Sequence, residues 1–574
     1  MSRFVLFPTI KKNTGILLSV FFILLLFVIL FINNFYTFCW SDESFYISSI
    51  HRLINGDCLF TDEWHPTLFY EPLLLPFYYL YIFITGGTEG VYLAARTVQL
   101  FLRLFTCFFL YFTLREKNGN FPAVVTAILL MPFLRANIKG LSYYALSLDF
   151  FIIGILCLYN FYIAREKLIL TFIAGLFFSF TVLCNPFTAF VYIGYSVWYL
   201  IRSIRRNESI KPILLVWGGT VFAAASYILY LATTSTITGF LSSFHNIFET
   251  PNYQKSSLYD VLIFPLNKYI TNLLKPYKYT LPFFIVAVIT LLVLKIKKIR
   301  PSKKIKFTIF VLNLIFFIYN LKVKKSNPGS TFVALAFFTC IFILLYQDKI
   351  FDKTKHILFF VIPGILFSIA WSYCSDTSYT VFTIGYAVAM PGMICLIFEL
   401  SQIVFSKNKQ RCIFLALFFC LMITMSLFQR FHYIYRDGKN SELVCKIENG
   451  PAKGLFTTKI RKQKYDEVYK TISKISDKYP NKSIYITPMI PWSYLLLNTK
   501  YSGPSTWRGY LDDYQIYNYF EKDNHPYPDL ILMTNEEYTI DSPYKIPQTE
   551  YANTLLKKYE KISLSIGELL VRKE

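Results

Sequence analysis

Six carboxylates and two histidines crowd the stretch CWSDESFYISSIHRLINGDCLFTDEWHPTLFYEP, residues 39–72. Asp42 and Glu43 lead it, beside Trp40, Phe45 and Tyr46. A carboxylate held within hydrogen-bond reach of a hydroxyl or amine takes its proton as the nucleophile attacks. A third acid, Asp149, lies inside the apolar run SLDFFIIGIL. An acid so placed normally faces a cavity or a partner, and Lys139 or a neighbouring tyrosine is the structural alternative. The cations of interest are Lys322, Lys324 and Lys325 in NLKVKKSNP. Three ammonium groups at a bilayer surface suit a lipid phosphate.

The elements that must position these groups are membrane spans. The chain has 574 residues, 55% of them hydrophobic and only 16% charged, with mean hydropathy +0.43; a soluble domain carries roughly a quarter charged residues. Apolar runs recur from 15–33 to 410–428, and counting those of spanning length or close to it gives about thirteen spans. The net charge of +23 reads first as a topology signal, because Lys and Arg collect in cytoplasmic loops. The basic loops 115–120, 202–211, 295–304 and 406–411 fit that rule with a cytoplasmic N-terminus. Arg3, Lys11 and Lys12 precede the first apolar run, which is too long for a cleaved signal peptide. No basic soluble face speaks for nucleic-acid binding.

This topology predicts a plasma-membrane protein whose C-terminal domain is extracytoplasmic. Residues 1–429 form the multi-pass α-helical part, with 33–89 as its first outer loop, and 430–574 a small α/β domain. Asp42, Glu43, Arg96, Asp149 and the three lysines then share the outer face. The lysines violate the positive-inside rule there; a local exception or one miscounted span is the alternative. Segment 71–85 is short, contains Pro72 and Pro76, and reads as an interfacial or re-entrant helix, with a full span as the alternative. In the outer domain, KYDEVYKTISKISDKY and EYANTLLKKYEKI are expected as helices, and SIYIT and DLILM as strands. Its Trp and Tyr residues at 487–496 and 503–520 suit sugar contacts or core packing. Eleven cysteines show no metal-ligand spacing, and Cys39 and Cys58 flank the acidic stretch and are able to pair.

SDESFY, LINGD, YEPLLLPFYYL and GGTEGVYLAAR, in that order, resemble the start of the GT-C glycosyltransferases that use polyprenyl-phosphate sugars. Those enzymes are the bacterial relatives of the protein O-mannosyltransferases and of the lipid A aminoarabinose transferase. The pattern spans about residues 10–200, and NLKVKKSNP resembles the later Lys-rich outer loop. Two departures stand out. Pro72 replaces a Lys after Glu71, and Asn185-Pro186 stands where Lys-Gly-Pro is usual. The 322–325 lysines are placed to substitute.

The resemblance implies an inverting sugar transfer from a polyprenyl-phosphate donor to a cell-surface glycan, lipid or protein. Asp42 is then the first candidate for catalytic base and Asp149 the second, with Glu43 orienting Asp42 or binding the sugar. Lys322, Lys324, Lys325 and Arg96, joined by Arg103, are the candidates for the leaving phosphate. No cofactor is required. A divalent ion is left open, with Glu71, Asp149 and His245 as ligands by position; a histidine placed as His245 is in SSFHNIF is more often a surface residue of an outer loop. A lipid or glycan transporter, with polar groups at mid-membrane on broken helices, and a non-catalytic scaffold are the competing readings.

Overall fold

The computed structural model describes residues 12–573, apart from 66, 165–166, 235–236, 245–258, 326, 347–353, 375–380, 498, 508–513 and 540–548. Eight of the described helices are long and apolar enough to cross a membrane. A ninth span is added if the pair Phe264–Tyr277 and Leu281–Ile296, bent by 105°, counts as one. Shorter apolar helices lie among them, including Asn120–Leu130 and Ser330–Leu345. The apolar run at 121–135 illustrates why counting runs and counting helices differ. Its helix stops at Leu130, the backbone turns left-handed at Ala136 and Asn137 (φ 50° and 57°), and a loop carries Arg135 and Lys139 inward.

Side-chain bonds bring many helix ends to one face of the bundle. Gln429, near the end of helix Asn408–His432, bonds Ser330 and Thr331 at the start of helix Ser330–Leu345. Asn137 donates to the carbonyls of Gln429, Arg430 and Tyr433. Arg96, near the start of helix Val91–Asn118, reaches the carbonyl of Asn34, just after helix Lys12–Asn33. Tyr435 and Arg436, just past the last apolar helix, bond Asp42 at the start of helix Asp42–Ile54. The turn holding Lys322, Lys324 and Lys325 runs directly into buried Asn327 and Ser330, so it lies at this same end.

Helix Leu75–Thr85 has 11 residues and ends on left-handed Gly86. At 1.5 Å per residue it is about 17 Å long, little more than half a bilayer core. Tyr79, Leu80, Phe83 and Ile84 on it are exposed.

Beyond the last apolar helix the chain forms a small α/β domain. Strands β1 (Cys445–Lys446) and β2 (Phe456–Thr457) pair antiparallel. Strands β3 (Ile484–Thr487), β4 (Leu530–Thr534), β5 (Tyr559–Leu564) and β6 (Gly567–Arg572) form a sheet in the order β3-β4-β6-β5, with only β3 and β4 parallel. Strands β3 and β4 are buried throughout, as two-faced burial of parallel strands requires. Helix Lys459–Lys478 is capped by Thr458 and buries Tyr465, Val468, Ile472 and Ile475, a one-sided stripe at helical spacing. EYANTLLKKYEKI is helical only over Glu550–Leu556; its tail is β5. The alternating, half-exposed KIS segment pairs with β6, and Gly567 lets the start of β6 lie close against β4. A Cβ at Gly567 would stand 1.9 Å from the Met533 carbonyl oxygen.

This domain shares one core with the segment after the first span. Phe38, Trp40, Trp64, Tyr70 and Tyr92 pack with Tyr465, Trp492 and Tyr501. Backbone bonds Thr37 to Phe456 and Trp64 to Pro504, and Ser48 Oγ to the Pro491 carbonyl, stitch the two together. Arg52 is buried between Asp57 (2.6 Å) and Glu63 (2.7 Å) and lies 4.4 Å over the Tyr501 ring.

Candidate functional site

Asp42 opens the helix Asp42–Ile54, where unpaired backbone N–H groups favour an acid in the first turn. Its side chain is 14% exposed. Three donors converge on one of its oxygens, Oδ2: Tyr435 Oη at 2.7 Å, Arg436 Nη1 at 3.1 Å and Ser41 Oγ at 3.2 Å. Among the described residues Oδ1 accepts from none. Burial, and then the charge of Asp42, hold the Tyr435 phenol well above its usual range, so it stays a donor. The carboxylate is anchored through one oxygen and keeps the other for something else.

Aromatic rings and cations surround this group. Tyr46 meets Tyr143 edge-on at 5.6 Å, Tyr143 and Tyr144 lie 4.1 Å apart, and both pack on Trp371. The guanidinium of Arg135 sits 4.2 Å over the Tyr144 ring. Arg436 and the neighbouring turn at Ala136 and Asn137 all have positive φ. Left-handed non-glycine residues are uncommon and gather where the surroundings over-determine them.

Glu43, next in sequence, points the other way. It is buried and bonds Arg96 twice, Nε to Oε1 and Nη2 to Oε2, each at 2.6 Å. Arg96 also donates to the carbonyls of Asn34 and Tyr36. Four of its five N–H groups are thus committed inside the protein. Gly140 leaves the room: a Cβ there would stand 2.9 Å from Glu43 Oε1. Arg96 is therefore placed as the internal counter-ion of Glu43.

Asp149 is fully buried and bonds Arg103 Nε at 2.6 Å and Gln99 Nε2 at 2.8 Å. Its partner is Arg103, not Lys139 or a tyrosine. Arg103 also donates to the carbonyls of Leu130 and Phe133 and ties the end of one helix to the middle of two others. Lys139 donates to the carbonyls of Asn33 and Tyr36, and burial, with Arg430 and Arg96 nearby, lowers its pKa well below the usual range.

Glu71 is buried in the short turn Leu68–Leu73, with Ser49 Oγ bonded to Oε1 and, among the described residues, no partner for Oε2. Burial pushes its carboxyl well above the ordinary range. His245 lies outside the described residues. Among those residues no three His, Cys, Asp or Glu side chains converge as a metal site, so Glu71 has no described donor set around it. Lys322, Lys324 and Lys325 are exposed. Cys39 and Cys58 are both free thiols; Cys58 Sγ bonds the Thr234 carbonyl at 2.9 Å.

The residues that sequence reasoning missed are Arg135, Tyr435 and Arg436. RANIKG carries two cations in a loop expected on the outer side, the same anomaly that marks 322–325. YIYRDG follows the last apolar run directly, where a boundary drawn at 429 hid it within the C-terminal domain. Trp492 proves to be core, while Trp507 packs 5.2 Å from Phe45, on the helix that Asp42 begins.

No family model and no curated protein matches the chain. Solved structures of similar fold include the Archaeoglobus fulgidus oligosaccharyltransferase complexed with Zn and sulfate. It is 14% identical, with 96% of this chain and 73% of that one covered and a TM-score of 0.46. Another is the archaeal oligosaccharyltransferase AglB from the same organism with an inhibitory peptide and a dolichol-phosphate. It is 12% identical, with 97% and 75% covered and a TM-score of 0.43. A third is ArnT from Cupriavidus metallidurans bound to undecaprenyl phosphate, 11% identical, with 68% and 80% covered and a TM-score of 0.31.

Proposed function

We propose that this chain is a membrane glycosyltransferase that moves a sugar from a polyprenyl-phosphate donor to an extracytoplasmic acceptor with inversion. The observation that carries the reading is the Asp42 carboxylate, fixed through Oδ2 by Tyr435, Arg436 and Ser41 with Oδ1 left to act. The donor class is that of the dolichol-phosphate and undecaprenyl phosphate held by two of the neighbours; the reading rests on this chain's own residues.

In the transfer, an acceptor hydroxyl or amine attacks the anomeric carbon. The bond from that carbon to the phosphate oxygen breaks, and the lipid phosphate leaves with the electron pair. Asp42 Oδ1 takes the acceptor proton. The leaving group is an anion, so it needs cations and no general acid. Arg135 and Arg436 beside Asp42, with Lys322, Lys324 and Lys325 at the same end of the bundle, supply them. Arg96 acts one step back: by holding Glu43 it fixes the first turn of the helix that Asp42 begins. Asp149, closed in by Arg103 and Gln99, supports the helix packing beneath.

A transporter would place its polar groups at mid-membrane on broken helices. One helix pair here is broken, but Tyr277 at the break bonds the Ser330 carbonyl at 3.3 Å, at the Asp42 end. The test is to incubate the purified protein with a panel of polyprenyl-phosphate sugars and envelope extracts. Appearance of free polyprenyl phosphate together with a labelled glycan, lipid or protein supports transfer. Movement of intact donor between leaflets without cleavage refutes it.

A further inference from the structure

Two apolar cavities follow helix Thr188–Arg205 where it faces helix Ile362–Cys374, and Val191, Tyr195, Trp198 and Leu358 line both. One, of about 780 Å³, reaches Tyr373. The other, of about 320 Å³, runs to Arg202 and Lys355. Neither touches Asp42 or the 322–325 lysines. Arg202 lies in the last turn of its helix, whose first turn follows Asn185 at the Asp42 end. Lys355 lies well upstream of Trp371, which packs on Tyr143 and Tyr144. Both cations therefore stand at the end remote from the transfer site. The 18 residues of the helix put roughly 27 Å between its two ends.

We infer that this remote end holds one anionic glycerophospholipid, its phosphate between Arg202 and Lys355 and an acyl chain in the cavity above them. The cavity is walled by apolar and aromatic side chains, and a bilayer fills such a space with lipid chain. The charge at its mouth selects the headgroup. Arg202 lies 5.7 Å from the Trp198 ring, and its Nε is buried with no hydrogen-bond partner among the described residues. Lys355 is half-buried. Among the described residues neither cation pairs with a carboxylate. A cation at the edge of the hydrocarbon calls for a counter-ion, and a basic pocket between spans meets that need with a lipid phosphate. Arg205, Arg206 and Lys211, which follow Arg202 with Glu208 as the one acid among them, add to the attraction. Tyr162 and Tyr199 in the same wall suit headgroup depth.

Native mass spectrometry of the detergent-purified chain, titrated with phosphatidylglycerol and separately with phosphatidylcholine, tests this. One phosphatidylglycerol should stay bound at collision energies that strip phosphatidylcholine. The double variant R202Q/K355Q should lower that occupancy at least five-fold. Val191→Trp, which fills the cavity and keeps both cations, should lower it likewise and decides the matter if the double variant unfolds. Equal retention of the two lipids, or unchanged occupancy in the variants, would overturn the inference. So would displacement of phosphatidylglycerol by equimolar polyprenyl phosphate, which would make the cavity a donor site.

Discussion

Glu43→Gln is a change of one atom with a large expected effect. In the native protein both Glu43 oxygens accept from Arg96 at 2.6 Å, in a site closed to water. Gln keeps one acceptor but turns an NH₂ towards an N–H of the guanidinium, and it leaves a buried positive charge without its counter-ion. Removing one partner of a buried pair costs about 3–5 kcal/mol. The remaining bonds from Arg96 to the Asn34 and Tyr36 carbonyls hold the ring of contacts in place without neutralising it. Replacing both partners in E43L/R96M should restore most of the stability, because apolar substitutes for a buried ion pair are often neutral. Equilibrium unfolding in detergent, run as a double-mutant cycle, reads the coupling directly, and it should be at least about 2 kcal/mol. A loss below about 1 kcal/mol for E43Q, or a coupling near zero, would refute the pair as the anchor of this helix.

Asp149→Asn should destabilise the fold by a similar amount, about 3–5 kcal/mol, through Arg103, while the folded fraction transfers sugar within about twofold of the native rate. Normal stability with lost transfer, read by thermal unfolding beside the activity assay, would make Asp149 the base instead. Glu71 gives a pH signature. Its folded-state pKa is raised by burial above the unfolded 4.5, so the folded state binds more protons between those two values. Its contribution is full below about pH 4.5 and is lost as pH rises through the folded value. Glu71→Gln, which mimics the protonated acid, should flatten that decline, and parallel stability–pH curves for the two proteins would contradict it.

Much of this architecture was legible because bilayer solvation is a blunt constraint. Long apolar runs mark spans, and the acidic loop, the 322–325 turn and the polar C-terminal domain stand out against them. Pairing was not legible. Arg96 and Arg103 lie on one stripe of the same helix, about two turns apart, and nothing in their spacing says that each closes on an acid 53 or 46 residues away. Arg135 escaped notice because its apolar approach looked like a span to the end; the break comes from a left-handed turn at Ala136 and Asn137, residues with no glycine to announce it. Tyr435 and Arg436 were hidden by a domain boundary, though the segment joining two domains is well placed to serve a site between them. The β5–β6 hairpin was missed because KKYEKI satisfies helical charge spacing as well as strand alternation.

The central claim is that Asp42 takes the acceptor proton, and Asp42→Asn tests it most directly. The variant keeps the size of the side chain and an oxygen for Tyr435 and Arg436 to bond. Release of polyprenyl phosphate coupled to acceptor labelling should fall by roughly 10²–10⁴-fold, the usual worth of a positioned base, with thermal unfolding close to that of the native protein. A variant that folds normally and transfers at the native rate would contradict the account.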